Sequence, residues 1–412
     1  MTKIVDYPTL RRDLNAISID HQGQQLIGLQ DPAQMAPETL FLPAPVFYLV
    51  SFFDGRHSIV DIQAEYMRRY GDMLFRENIE ELIEQLDTHC LLEGGRYQEV
   101  LRQAEEEFKK DSLRRMVLAD LSYPRDPRAL RETLAQYFLA EGGPGPLEDT
   151  PSPQGLRGVI APHIGLNRGG PIYAWAYKAI AEEGPADVYF LLGTAHFGRE
   201  SYFIATDKDF ETPWGTVATD RGFLEALQKR CPQNLRAEEI LHRQEHSLEF
   251  QGLWLHYLFP DKPITMVPLL CGSFHQAIFE DKSPQEIGEI QDFLGAVKET
   301  VAAEGKKVVF IAAADLAHMG QRFGDQVELN QEFLEEQAQE DQAMLELIEA
   351  GDAERFFNLI SAQRDQRKIC GLACIYTLLS LLAPARGKFL AYGLSPEPET
   401  SSVVTFASMA YY

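Results

Sequence analysis

A chain of 412 residues, 45% hydrophobic and 24% charged, lies outside the disordered class and is long enough to bury two cores. Its formal net charge of -24 argues against a protein that grips nucleic acid through phosphates or lies on an anionic membrane. Its five cysteines, Cys90, Cys231, Cys271, Cys370 and Cys374, are spread out with no CxxC pair, so reduced thiols are expected rather than a disulfide framework or zinc ribbon.

The first residues, Met1 to Pro8, lack the basic-then-apolar order of a signal peptide, and a cytoplasmic protein is expected. Residues 24 to 29 and 41 to 53 are apolar pieces, the second ending at the turn pair Asp54-Gly55. Ser58 then caps a helix, with Asp61 in the capping-box position. A second helix is predicted over 75 to 89 and a short hairpin over Cys90 to Tyr97, together a winged-helix outline for a domain 1–105. His57 and His89 read as surface or packing residues. A charged helix over 98 to 120 supplies a helical connector at 106–115 and leads into a domain 116–412.

From Gly158 onward, strands and helices alternate. Strand cores are predicted at 158–161, 188–193, 264–270, 308–313, 388–392 and 402–407, with helices near 171–183, 221–230, 247–258, 284–304, 324–349 and 369–383. This is an α/β fold with a mostly parallel central sheet flanked by helices. The longest apolar stretch, Leu372 to Ala385, is interrupted by Ser380 and Pro384 and falls short of the ~20 residues a membrane span needs.

Three strands deliver a histidine as they finish: His163 after Val159-Ile160-Ala161-Pro162, His196 after Leu192-Gly193-Thr194-Ala195, and His318 after the run from Val308. Ligands in open α/β sheets collect at that edge, so parallel neighbouring strands would bring the three imidazoles together as a metal site. Gly198 is read as a second tight turn after His196. Asp315 and His318, read as one helical turn, would share a face, and the carboxylate would orient the imidazole. One histidine in such a place is more often structural; three in matched positions favour a site.

Cys370, ahead of the apolar run from Leu372, is read at a helix N-terminus, where amide dipoles favour the thiolate; Cys374 is read as packing. Imidazole, thiolate and carboxylate together suit iron, copper or zinc rather than calcium or magnesium. In Glu245-His246-Ser247-Leu248-Glu249-Phe250-Gln251, Ser247 is read as a helix cap, His246 as a base lining the crevice and Glu249 as a dipole partner. His242, His256 and His275 are assigned to surface or packing. A cysteine hydrolase, with Cys370 as nucleophile and His318 as base oriented by Asp315, is the alternative chemistry.

Six ordered segments, Ala161-Pro162-His163, Gly193-Thr194-Ala195-His196, Glu211-Thr212-Pro213-Trp214-Gly215, Glu245 to Gln251, Asp315-Leu316-Ala317-His318 and Cys370-Gly371, resemble the Memo family, whose prokaryotic members are called AmmeMemoRadiSam system protein B. Tyr123-Pro124-Arg125-Asp126-Pro127 is similar to that family's entry segment. The resemblance implies a fold similar to class III extradiol dioxygenases and a mononuclear iron or copper site on His163, His196 and Cys370. Asp315 and His318 would stand beside it, and a radical SAM protein would be a partner. Residues 165 to 170 and Ala313-Ala314 depart from the family's usual pattern, which bears on substrate recognition rather than on the ligands. Phe53-Asp54-Gly55 with Ser58, two helices and Leu91-Leu92 resembles PqqD-like modules, which implies that the N-terminal domain holds a peptide by strand addition.

Overall fold

The computed structural model describes residues 6–412 except 22, 149, 198 and 199, so the readings placed on Met1 to Val5 and on Gly198 lie outside the described residues. The chain divides into two compact units, Met1–Asp111 and Ser112–Tyr412.

In the first unit, β1 (Asn15–His21), β2 (Gln24–Gln30) and β3 (Leu40–Pro43) form an antiparallel sheet in that order. It is followed by α1 (Ala44–Val50), α2 (Ile59–Tyr70), α3 (Arg76–Thr88) and α4 (Gly95–Lys110). The capping box is present: Ser58 accepts from the Asp61 amide and Asp61 accepts from the Ser58 amide. Leu42, Val50, Phe53, Ile59, Ile62, Ile79 and Leu86 build a core of their own. The hairpin predicted over Cys90 to Tyr97 is not formed. Gly94 is instead the N-cap of α4, and Leu92 only bridges Leu10. The charged helix likewise ends at Lys110 rather than at 120, because residues 113–114 pair as a strand.

The second unit runs β4 (Leu113–Arg114), α5 (Pro127–Leu139), β5 (Gly158–Ala161), α6 (Leu166–Glu183), β6 (Val188–Thr194), β7 (Phe203–Ala205), β8 (Asp209–Thr212), β9 (Gly215–Thr219), α7 (Arg221–Arg230), α8 (Ser247–Leu258) and β10 (Thr265–Cys271). It continues with α9 (His275–Phe279), α10 (Gly288–Glu304), β11 (Val308–Ala313), β12 (Asp315–Gly320), α11 (Gln331–Glu349), α12 (Ala353–Ala362), α13 (Leu372–Leu382), β13 (Gly387–Glu397) and β14 (Ser402–Tyr411). The sheet order is β12-β14-β5-β11-β6-β10-β9-β8-β4. Strands β5, β11, β6, β10 and β9 are mutually parallel, and β14 turns antiparallel against β5.

Alternation along the strands explains the two helical layers. Val188, Phe190 and Leu192 of β6 face a core shared with α7, α10 and α13, while Tyr189 and Leu191 face the core of α5, α6 and α8. Both faces of the parallel strands are therefore covered, and the strands read as apolar runs. Among the described residues no helix is long and apolar enough to cross a membrane.

Two sequence readings are corrected here. Asp315 and His318 do not lie on a helical turn: they belong to β12, which pairs antiparallel with β14 and carries a register shift between them. That irregularity lets residues three apart serve one site where regular alternation would separate them. The helix predicted from 324 begins at Gln331, capped by Asn330.

Candidate metal centre

Because β5, β11 and β6 are adjacent and parallel, their carboxyl ends place His163, Asp315 and His196 at one edge. Helix α8 fixes the two histidine turns. Gln251 donates to the Pro162 carbonyl (2.9 Å) and Ser247 to the Thr194 carbonyl (2.9 Å). The approach is close enough that a Cβ on Gly193 would meet Leu248 and the Ser247 hydroxyl at 2.6 Å. On the other side Gly371 packs on the Asp315 carbonyl, which a Cβ would meet at 2.5 Å, and this seats Cys370 against the strand ends.

The imidazole tautomers follow from their partners. His163 donates Nδ1–H to the Ala313 carbonyl (2.9 Å), and His196 donates Nδ1–H to the Glu245 carboxylate (3.0 Å). Each therefore keeps its Nε2 lone pair, and the His163 Nε2 lies 3.3 Å from Cys370 Sγ. The rings of His163 and His196 cross edge-on at 4.9 Å. Donor atoms of His163, His196 and Cys370 all fall within 4.8 Å of one another. The residues read from strand ends are thus brought together with the predicted thiol. A second group of the same compactness is Asp315, His318 and Cys370, and a third is His196, Glu245 and His246.

Electrostatics separates the roles. Burial pushes His163 below its ordinary value, against the raising effect of Asp315. Burial also pushes His196 down, but the bonded Glu245 carboxylate outweighs it and the net shift is upward. His246, stacked on His196 at 4.8 Å, is pushed by burial down to about 3, and His318 down to about 4. Both are neutral bases near pH 7. His318 donates Nδ1–H to the Leu316 carbonyl (3.1 Å) and so presents Nε2.

Cys370 lies one residue before the N-cap of α13, Gly371, and without a cation burial and the Asp315 charge hold its thiol well above the ordinary range. Ser247 departs from its sequence reading: the N-cap of α8 is His246, and Ser247 spends its hydroxyl on Thr194.

Glu245 and Arg114 carry roles that the sequence reading missed. The Glu245 carboxylate accepts from the amides of His196 (2.8 Å), His246 (2.8 Å) and Ser247 (3.0 Å) as well as from the His196 ring. It is held well below the carboxylate range; burial opposes this, but His196 and His246 prevail. Arg114, fully buried, donates to the carbonyls of Glu245 and His242 and pairs with Glu249. Glu249 also accepts from the Val117 and Leu118 amides and the Tyr123 hydroxyl, so it is an internal ion-pair hub rather than a dipole partner. The placement of Glu245 beside His246 in the motif was the available signal; Arg114 offered none locally.

Parallel strands ending in two imidazoles, one buried and one open to the crevice, beside a thiol define an α/β protein with a candidate His/Cys metal centre. A family model described as Memo-like protein matches residues 114–410, and the chain belongs to that family. It is 28% identical over 389 residues to a MEMO1 family protein of Aquifex aeolicus, covering 94% of each chain. A MEMO1 family protein of Thermus thermophilus is 29% identical over 356 residues, 85% of this chain and 98% of that one. Both alignments are longer than the second unit and so extend into the first. A Methanopyrus kandleri member is 28% identical over 296 residues, 70% of this chain and 95% of that one.

Proposed function

We propose that this protein is a cytoplasmic metalloprotein holding one transition-metal ion, iron first and copper or zinc next, on His163, His196 and Cys370, and that it carries out a redox or O2-dependent step. The observation that carries the reading is the pair of fixed tautomers: the buried His163 and the more open His196 are each locked at Nδ1, His163 Nε2 meets the Cys370 thiol, and the donor atoms of all three lie within 4.8 Å of one another. Two nitrogens and a sulfur suit a borderline or soft cation, and three protein ligands leave positions open. Such an ion supplies Lewis acidity and, as iron or copper, redox chemistry. The protein's own part is to orient and to handle protons. Glu245 holds His196; Asp315 accepts from the His163 amide (2.9 Å) and so holds that turn; His318, neutral near pH 7, would take or return a proton at Nε2, with His246, also neutral, as the other acid/base group. The five free cysteines accord with a reducing compartment.

The test is anaerobic purification with elemental analysis of the wild type and of His163→Ala, His196→Ala and Cys370→Ala. About one ion per chain is expected in the wild type, with affinity lowered roughly 10-fold or more in each variant, the scale of losses even at residues behind the ligands. Full metal in all three variants rejects the site.

A second reading is favoured by the first unit. Strand β1 pairs with β2 along one side, and all seven of its residues are exposed. An extended peptide added there would make this chain a recognition partner of a radical SAM enzyme, with the metal centre structural. Amide protection of Asn15–His21 by candidate leader peptides is the measurement, and unchanged exchange rejects it.

A further inference from the structure

The carboxyl end of β10 leads into α9 and carries a second cluster, whose residues the site above does not use. We infer that Ser273, His275 and Asp365 form a nucleophilic serine centre that hydrolyses small carboxylic esters with an apolar acyl or aryl group. The Ser273 hydroxyl lies 2.6 Å from His275 Nδ1, and His275 Nε2 lies 2.5 Å from Asp365 Oδ2. A carboxylate only accepts, so Nε2 carries the ring proton and Nδ1 keeps its lone pair for the serine O–H. Asp365 is fixed from behind by the Ile369 amide at Oδ1 (2.8 Å), and its side chain is 1% exposed against 48% for His275. A buried carboxylate, a half-exposed imidazole and an exposed hydroxyl thus stand in line, in the order a base-activated nucleophile needs.

Ser273 also accepts from the His275 amide (3.1 Å), as a helix-capping serine would, but capping calls for neither the imidazole contact nor Asp365. The Phe274 amide, next after the serine, has no acceptor among the described residues and is the donor position that strand-to-helix nucleophile turns use for an oxyanion. Phe279, 74% exposed and 6.4 Å from the His275 ring, is the apolar platform.

In the reaction Oγ bonds to the ester carbon, its proton passes to His275 Nδ1 and then to the departing alkoxide, and the ester C–O bond breaks. Water next attacks the acyl carbon, giving a proton to Nδ1 that returns to Oγ as the acid leaves.

The test uses the full chain with excess chelator, a fluorophosphonate probe read by peptide mass mapping, and p-nitrophenyl acetate hydrolysis. Labelling at Ser273 above the other exposed serines is expected, with hydrolysis that disappears in Ser273→Ala and falls roughly 10²-fold in His275→Ala, the scale of a general base. His275 is half-exposed, so its loss tests the chemistry without emptying a core; Asp365→Asn gives a second reading of the relay. Labelling of Ser273 no greater than that of other serines, or unchanged in His275→Ala, overturns the inference.

Discussion

Glu245→Gln isolates what the carboxylate behind His196 does. The change keeps shape and volume but replaces one acceptor oxygen by an NH2 donor. If that NH2 takes the place of Oε1 it faces three donors, the amides of His246 and Ser247 and the His196 ring N–H; in the place of Oε2 it faces two, the His196 amide and the same ring N–H. The second orientation is therefore adopted, at a cost of about 1–3 kcal/mol for one stranded buried donor. It leaves the remaining oxygen on the His196 Nδ1–H, without the negative charge that raises the basicity of Nε2. Removing such an orienting partner lowers metal affinity about 10–100-fold, or roughly 1.4–2.7 kcal/mol. Chelator competition on the metal-loaded variant, beside urea unfolding of its metal-free form, reads the two terms separately. Wild-type affinity in a variant destabilised as expected would refute the assignment of Glu245 to His196.

Arg114→Met should destabilise the second unit by about 3 kcal/mol, since removing one member of a buried ion pair leaves the Glu249 charge uncompensated; a shift in the urea midpoint equivalent to less than about 1 kcal/mol would contradict this. Glu183, which accepts from the amides of Gln154, Gly155 and Leu156 and pairs with Lys307 at 2.7 Å, is held below its ordinary value; burial opposes this, but those donors outweigh it. A depressed folded-state value means that its stabilisation is present above the unfolded-state value of about 4.3 and is lost as pH falls through the folded one. Glu183→Gln should therefore be less stable than wild type at pH 7, with the gap narrowing in acid; thermal melts across pH test this, and a gap independent of pH rejects it.

Much of the second unit could be read in advance because its information is local. Apolar β-branched runs marked β5, β6, β10 and β11, and the histidines just beyond β5 and β6 lie where the parallel order of those strands predicts. What escaped reading depends on partners distant in the chain. Asp315-Leu316-Ala317-His318 is too short to declare its period, and its strand character comes from β14, with the Ala317 amide bonded to Thr405. Gly94-Gly95 reads as a turn in isolation, yet here it opens a helix whose Tyr97 and Phe108 are buried. Arg114 sits in a charged stretch, and only folding brings it to Glu249, 135 residues away. His275 had no visible context because Asp365 lies 90 residues downstream. The Cys370 thiol lies beside the histidines, and without a cation burial and the Asp315 charge raise its pKa, an effect of three-dimensional surroundings and not of the adjacent helix.

The claim that Cys370 joins His163 and His196 around one cation is tested most directly by titrating metal-free protein anaerobically with cobalt(II) and following the thiolate-to-metal charge-transfer band. The account predicts a band that saturates at about one equivalent and disappears in Cys370→Ser, as expected of a single site with one sulfur ligand. Saturable cobalt binding without that band in the wild type, or a band that survives in Cys370→Ser, would contradict it.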